Sequence, residues 1–123
     1  MVKISFVGDI MCDLHTIRKM ERSGKRSFKS FFEPMRDKLV DSDYVVANLE
    51  TVMAGEDQKF TRDLTSFNTP DAMAEAISTS GISLVTTANN HCLDRGIEGL
   101  KRTLDVLDQY GIAHTGTYRN LDG

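Results

Sequence analysis

Three short segments rich in apolar and β-branched residues alternate along the chain with segments of helical periodicity. The apolar segments, residues 2–7, 44–47 and 84–88, are typical of strands buried in a sheet. The clearest helical pattern covers residues 96–110, where apolar side chains recur every three or four positions, and a fourth strand is expected at 112–114. The pattern therefore predicts an α/β fold, with a mostly parallel sheet and helices on both of its faces.

Composition narrows the class of protein. The chain has 123 residues, of which 40% are hydrophobic and 27% charged, which is enough for one core. Its net charge is -3 and no stripe of basic residues is visible, so we expect no nucleic-acid partner. No apolar run approaches the roughly 20 residues of a membrane span, so the sequence predicts a soluble chain. The two cysteines lack the spacing of a metal site and are expected to be reduced thiols.

Polar residues follow each of the three predicted strands. Asp9 follows the first strand, Glu50 the second, and Asn90 and His91 the third. Because the carboxyl ends of parallel strands meet at one edge of a sheet, these side chains are expected to lie close together. Carboxylate and amide oxygens with a nearby imidazole suit Mn, Fe or Zn ions, and a carboxylate such as Glu50 can bridge two of them.

Other interpretations of these residues remain open. Asp9 could cap the helix that follows it, and Glu50 could be a surface carboxylate at a strand end. Asp13 and His15 form an Asp-x-His pattern that is a rival metal site, although their position favours the start of a helix. His114 is ambiguous, since a histidine at a sheet end is usually structural.

Several motifs occur in an order that resembles a known family. They are VGDIM at residues 7–11, NLE at 48–50 and ANNH at 88–91, followed by Asp94 and Gly96. Together they cover nearly the whole chain and resemble the CapA family of poly-gamma-glutamate capsule proteins, a branch of the calcineurin-like metallophosphatase superfamily. The expected fold is therefore metallophosphatase-like, with residues 1–123 as the N-terminal portion of a larger domain.

The resemblance also implies roles for individual residues. Asp9, Glu50 and Asn90 would bind divalent metal ions, as a binuclear site in the complete protein. His91 would donate to the leaving or transferred group, and Asp94 would orient His91. Further histidines from later strands of the family would complete the metal shell, so this chain alone is expected to bind metal weakly.

Two functions of different classes follow. One is a metal-dependent, phosphoesterase-type hydrolase of capsule biosynthesis, acting on a phosphoester or on an amide of a glutamyl polymer. The alternative is a non-catalytic binding or scaffold component of anionic polymer assembly or export. The resemblance implies a cell-surface or membrane-associated location. An open sheet edge would allow pairing with another copy or with a separate C-terminal part.

Overall fold

A four-stranded sheet organises the computed structural model, which describes residues 1–122. All neighbouring strands are parallel and their order follows the sequence. The strands are β1 (Ile4–Ile10), β2 (Tyr44–Leu49), β3 (Leu84–Thr86) and β4 (Ala113–Thr115). The predicted α/β class and the parallel sheet are confirmed.

Helices form the connections between the strands. They are α1 (Leu14–Arg22), α2 (Lys29–Phe32), α3 (Arg36–Val40), α4 (Ala72–Ser80) and α5 (Gly96–Gln109), with 3-10 turns at Glu33–Met35 and Glu56–Gln58. Asp13 begins α1 as its N-cap, accepting a hydrogen bond of 2.7 Å from the backbone nitrogen of Thr16. Gly81 ends α4 in the left-handed conformation that glycine adopts without steric cost.

The core lies on one face of the sheet. Val45, Ala47 and Leu49 alternate along β2 and are almost fully buried, because side chains two positions apart share a face of a strand. Helical side chains pack with this face in a single apolar cluster that includes Ile77 of α4 and Leu107 of α5. Burial of this face is the main stabilising contribution of the sheet.

The opposite face of the sheet differs from the prediction. Ile4, Phe6 and Tyr44 share this face and are 53%, 78% and 39% exposed. Helices on both faces were expected, but among residues 1–122 the helices pack in one cluster on the other side. Strands that follow the sequence order with right-handed crossovers place every connection on the same face, which explains the difference.

The first strand is longer than the sequence predicted. We expected it to end before Gly8 and Asp9, but β1 continues to Ile10. Its pairing with β2 shifts register between Phe6 and Asp9, which is an irregularity of the β-bulge type. Asp9 therefore pairs with Asn48 across the strands and is not the cap of the next helix.

One residue of the predicted helical stripe lies outside the core. Helix α5 matches the predicted segment closely, and Leu104 and Leu107 are buried as expected. Ile97, an apolar residue of the predicted segment 96–110, is 64% exposed in the first turn. The packed face instead includes Gly99, whose missing side chain lets Ala54 approach, and Thr103, whose hydroxyl accepts from the backbone nitrogen of Met53.

Candidate functional site

The carboxyl ends of β1 and β2 bring two acidic side chains together. Asp9 lies beside Asn48 in the ladder, and Glu50 follows β2 directly, with its backbone nitrogen bonded to the carbonyl of Ile10 at 2.9 Å. Asn48 and Glu50 are two positions apart and point the same way, because alternate side chains of a strand share a face. Asp9 is exposed and Glu50 half-buried, so both carboxyl groups are accessible to solvent.

The amide of Asn48 joins the two carboxyl groups. Its Nδ2 donates to Asp9 Oδ1 at 2.9 Å and to Glu50 Oε2 at 3.2 Å. Its Oδ1 accepts from Thr86 Oγ1 and from Asn89 Nδ2, both at 3.1 Å. Both donors and both acceptor positions of the amide are therefore occupied, which fixes the NH₂ group toward the carboxylates.

The two carboxyl groups influence each other's protonation. Hydrogen bonds from Asn48 and with Glu50 hold the pKa of Asp9 below its usual value. The hydrogen bond with Asp9, partial burial and the charge of Asp9 raise the pKa of Glu50, while the nearby His91 opposes this effect. A bound cation would relieve the repulsion between two negative carboxylates at one site.

The two adjacent asparagines after β3 have different environments. Asn89 reaches the carboxylate pair through Asn48 and also donates to the carbonyl of Leu49 at 2.8 Å. Its Oδ1 accepts from the backbone nitrogen of His91 at 3.0 Å, which holds the turn. Asn90, the predicted metal ligand, is exposed, and its role remains a prediction. Sequence reasoning missed the role of Asn89, because spacing alone does not distinguish two neighbouring amides in a loop.

His91 and Asp94 form a close pair. The Nδ1 atom of His91 lies 2.6 Å from Asp94 Oδ2, and the two side chains are only 12% and 13% exposed. The same carboxylate oxygen accepts from the backbone nitrogen of Phe67 at 2.7 Å. Asp94 is thus placed to orient the imidazole, as the resemblance implied, although catalysis by His91 stays a prediction.

Residues 51–68, here called the 51–68 loop, carry Phe67 to this pair. Within this loop, Val52 and Asn68 form an isolated parallel bridge. Asn68 is fully buried; its Oδ1 accepts from the backbone of Ala54 at 2.8 Å, and its Nδ2 donates to the carbonyl of Gly55 at 2.9 Å. Side-chain hydrogen bonds to the backbone therefore hold the loop where no regular strand pairing exists.

The other predicted candidates lie in different surroundings. Asp13 caps α1 and His15 is exposed on the same helix, in agreement with a helix start. The Nε2 atom of His114 lies 2.7 Å from Asp108, an exposed residue of α5. Hydrogen bonds with His114 and Arg119 hold the pKa of Asp108 below its usual value. Because Asp13 is a helix cap and His15 is exposed, nothing in their placement favours these two residues over Asp9 as metal ligands.

The donor set fits part of a metal shell. Asp9, Glu50 and Asn90 offer the hard oxygen donors that divalent cations such as Mn²⁺ accept. Among residues 1–122, no group of three or more His, Cys, Asp or Glu side chains is arranged to hold a metal ion. The described residues thus offer donor atoms of the right chemistry but do not by themselves assemble a metal site.

The two thiols are expected to react at very different rates. Both are free, in agreement with the sequence prediction. Cys12 is buried, and burial together with the charge of Asp13 raises its pKa to about 12, whereas Cys92 is half-buried. Because only the thiolate is alkylated rapidly, iodoacetamide at pH 8 should modify Cys92 first. Peptide mass spectrometry of native protein, with unfolded protein as the control, checks this, and equal labelling of Cys12 in the native state would contradict it.

The fold and the site together define an α/β domain with an acidic centre at the carboxyl edge of a parallel sheet. The model of the family described as "Bacterial capsule synthesis protein PGA_cap" matches residues 3–123, and the chain belongs to this family. The resemblance found in the sequence is thereby confirmed.

Individual relatives agree with this assignment. The chain is 31% identical over 101 residues to "PGA biosynthesis protein CapA" of Bacillus subtilis (strain 168), covering 81% of this chain and 26% of the relative. It is 27% identical over 121 residues to "Capsule biosynthesis protein CapA" of Bacillus anthracis, covering 96% and 29%. An uncharacterized protein, y4sH of Sinorhizobium fredii, is 31% identical over 123 residues, covering 89% and 23%. The chain thus spans less than a third of the length of these relatives.

Proposed function

We propose that this chain forms part of the metal centre of a phosphoesterase-type hydrolase in capsule biosynthesis. The observation that carries the proposal is the joining of Asp9 and Glu50, from adjacent strand ends, by the single amide of Asn48. Such preorganised oxygen donors favour a hard divalent cation, or two cations with Glu50 between them. As the resemblance implies, other strands of the complete domain would supply the remaining ligands.

Each residue has a distinct part in this proposal. Asp9, Glu50 and Asn90 would hold the metal ions, which activate water and stabilise developing charge when bound. His91 faces Asp94 through Nδ1, which leaves Nε2 as the nitrogen available to a bound substrate. The imidazole could then pass a proton to the leaving group, with Asp94 stabilising its charged form.

The substrate class and the location are part of the same proposal. We propose an anionic substrate, either a phosphoester or an amide of a glutamyl polymer, because a cationic centre would attract such a group. Within residues 1–122 no helix is long and apolar enough to cross a membrane. A location at the cell surface, with attachment through other parts of the complete protein, belongs to the same proposal.

Asn90→Ala is expected to lower Mn²⁺ affinity at least tenfold, since it removes an oxygen donor without exposing the core. Asn90 is exposed, so the fold should be unchanged. Calorimetric titration of the full-length protein with Mn²⁺ measures the effect. Asn120→Ala, the same change at another exposed site, is the matched control. Equal Mn²⁺ affinity of wild type and Asn90→Ala would refute the ligand assignment.

Turnover separates the two candidate functions. The full-length protein, purified without chelators, should contain a divalent metal and hydrolyse a chromogenic phosphodiester in the presence of Mn²⁺. Metal binding without hydrolysis of phosphodiester or glutamyl amide probes would favour the alternative, a non-catalytic binding or scaffold component of anionic polymer assembly.

A further inference from the structure

We propose that Phe67 is a positioning residue that holds His91 and Asp94 in their working arrangement; its catalytic importance rests on the proposed hydrolase function. Phe67 lies 24 positions before His91 in the sequence. It contacts the pair in two ways, through its backbone nitrogen and through its ring.

The backbone of Phe67 makes Asp94 a hydrogen-bond acceptor. A backbone N–H can only donate, so Asp94 Oδ2 must accept the 2.7 Å hydrogen bond from Phe67. The same oxygen faces His91 Nδ1 at 2.6 Å. Because this oxygen acts as an acceptor, His91 Nδ1 must carry the ring proton in order to donate to it. The other nitrogen, Nε2, then has no proton in the neutral ring. Phe67 therefore keeps the Nδ1 proton on the Asp94 side, which leaves Nε2 as the nitrogen that takes up and passes on a proton in the proposed reaction.

The ring of Phe67 sets the plane of the imidazole. The two rings meet edge to face, with centroids 4.5 Å apart and planes at 74°. The backbone of His91 is held separately by Asn89 Oδ1 at 3.0 Å. The backbone of His91 is thus held by Asn89, and its ring packs against Phe67. Rotation of the imidazole would have to displace the Phe67 side chain, which is only 4% exposed.

The loop that carries Phe67 is itself anchored. The neighbouring Asn68 is buried and bonded to three backbone groups of the 51–68 loop, those of Ala54, Gly55 and Lys59. Arg95, which follows Asp94, donates to the carbonyl of Gln58 at 2.9 Å and to the hydroxyl of Ser66. Phe67 therefore lies between Ser66, which Arg95 joins to the turn containing the pair, and Asn68, which holds the loop together, and this is the arrangement a rigid support requires.

The substitution Phe67→Leu tests this assignment, because it keeps an apolar side chain and the backbone donor but removes the aromatic edge. Because the backbone donor is kept, the Nδ1–H tautomer should persist, whereas three-bond couplings of the His91 side chain measured by NMR should show one rotamer in wild type and averaged rotamers in the variant. Turnover of a chromogenic phosphodiester with Mn²⁺ should fall about three- to tenfold, the fold-change expected from losing an aromatic pair. The matched control is Phe60→Leu, on the same loop and half-buried, which should change neither quantity.

The outcomes separate the two proposals. A single, unchanged His91 rotamer in Phe67→Leu would overturn the positioning role, whatever the activity. Absence of turnover in wild type would instead defeat the hydrolase proposal, while the NMR comparison would still decide whether Phe67 orients the ring. If Phe67→Leu does not fold, Phe67→Met, which is unbranched and fills a similar volume, is measured in the same way.

Discussion

Replacing Asn68 with alanine is expected to destabilise the protein by about 2–4 kcal/mol. Asn68 is fully buried, and its amide pairs with the backbone nitrogen of Ala54 and the carbonyls of Gly55 and Lys59. Alanine would leave these groups without partners in a place that water reaches poorly, so the cost exceeds that of one ordinary hydrogen bond.

Urea unfolding of the two proteins measures this difference in free energy. The matched control is Asn120→Ala, because Asn120 is exposed and should change the free energy of unfolding by less than about 0.5 kcal/mol. If Asn68→Ala unfolds at the same urea concentration as the control, the 51–68 loop does not depend on its buried amide.

Replacing His91 with alanine should reduce turnover by about 10²- to 10⁴-fold, the range for loss of a general acid or base. Bound metal should be retained, because the proposed ligands are Asp9, Glu50 and Asn90. Phosphodiester turnover and metal content, both measured on the full-length protein, test the two parts of this expectation. Undiminished turnover would exclude His91 from the chemistry.

A second histidine supplies the control for this experiment. His114 also pairs with a carboxylate, Asp108, at 2.7 Å, but Asp108 is exposed and also bonds Arg119. His114→Ala should therefore leave turnover and metal content unchanged. A loss of bound Mn²⁺ in His114→Ala would place this histidine in the metal shell, contrary to the assignment made here.

Local patterns in the sequence were sufficient for the fold class. Alternation of apolar segments with helical periodicity depends on residues a few positions apart, so β2, α5 and the parallel order of the strands were predictable. The same reasoning located the acidic residues at the carboxyl edge, since Asp9 and Glu50 follow predicted strands. The family assignment also came from short motifs whose residues are close in sequence.

The tertiary structure alone decided which groups touch. Asn48 meets Asp9 across 39 positions, Asn89 meets Leu49 across 40, and Phe67 meets Asp94 across 27. No local period records such pairings, because they depend on strand register and on the path of the 51–68 loop. The irregularity within β1, which sets Asp9 beside Asn48, is likewise a property of two paired strands and not of one.

The exposure of one face of the sheet was also decided by the tertiary structure. Side chains such as Ile4, Phe6 and Tyr44 have the apolar character of strand residues buried on both sides, which is why the sequence predicted helices on both faces. Which face a helix covers depends on the handedness of the crossover and on strand order, and both are global properties. The sequence by itself determined the elements and their chemistry, whereas the fold determined their neighbours, because contacts between distant residues depend on strand order, strand register and the path of the loops.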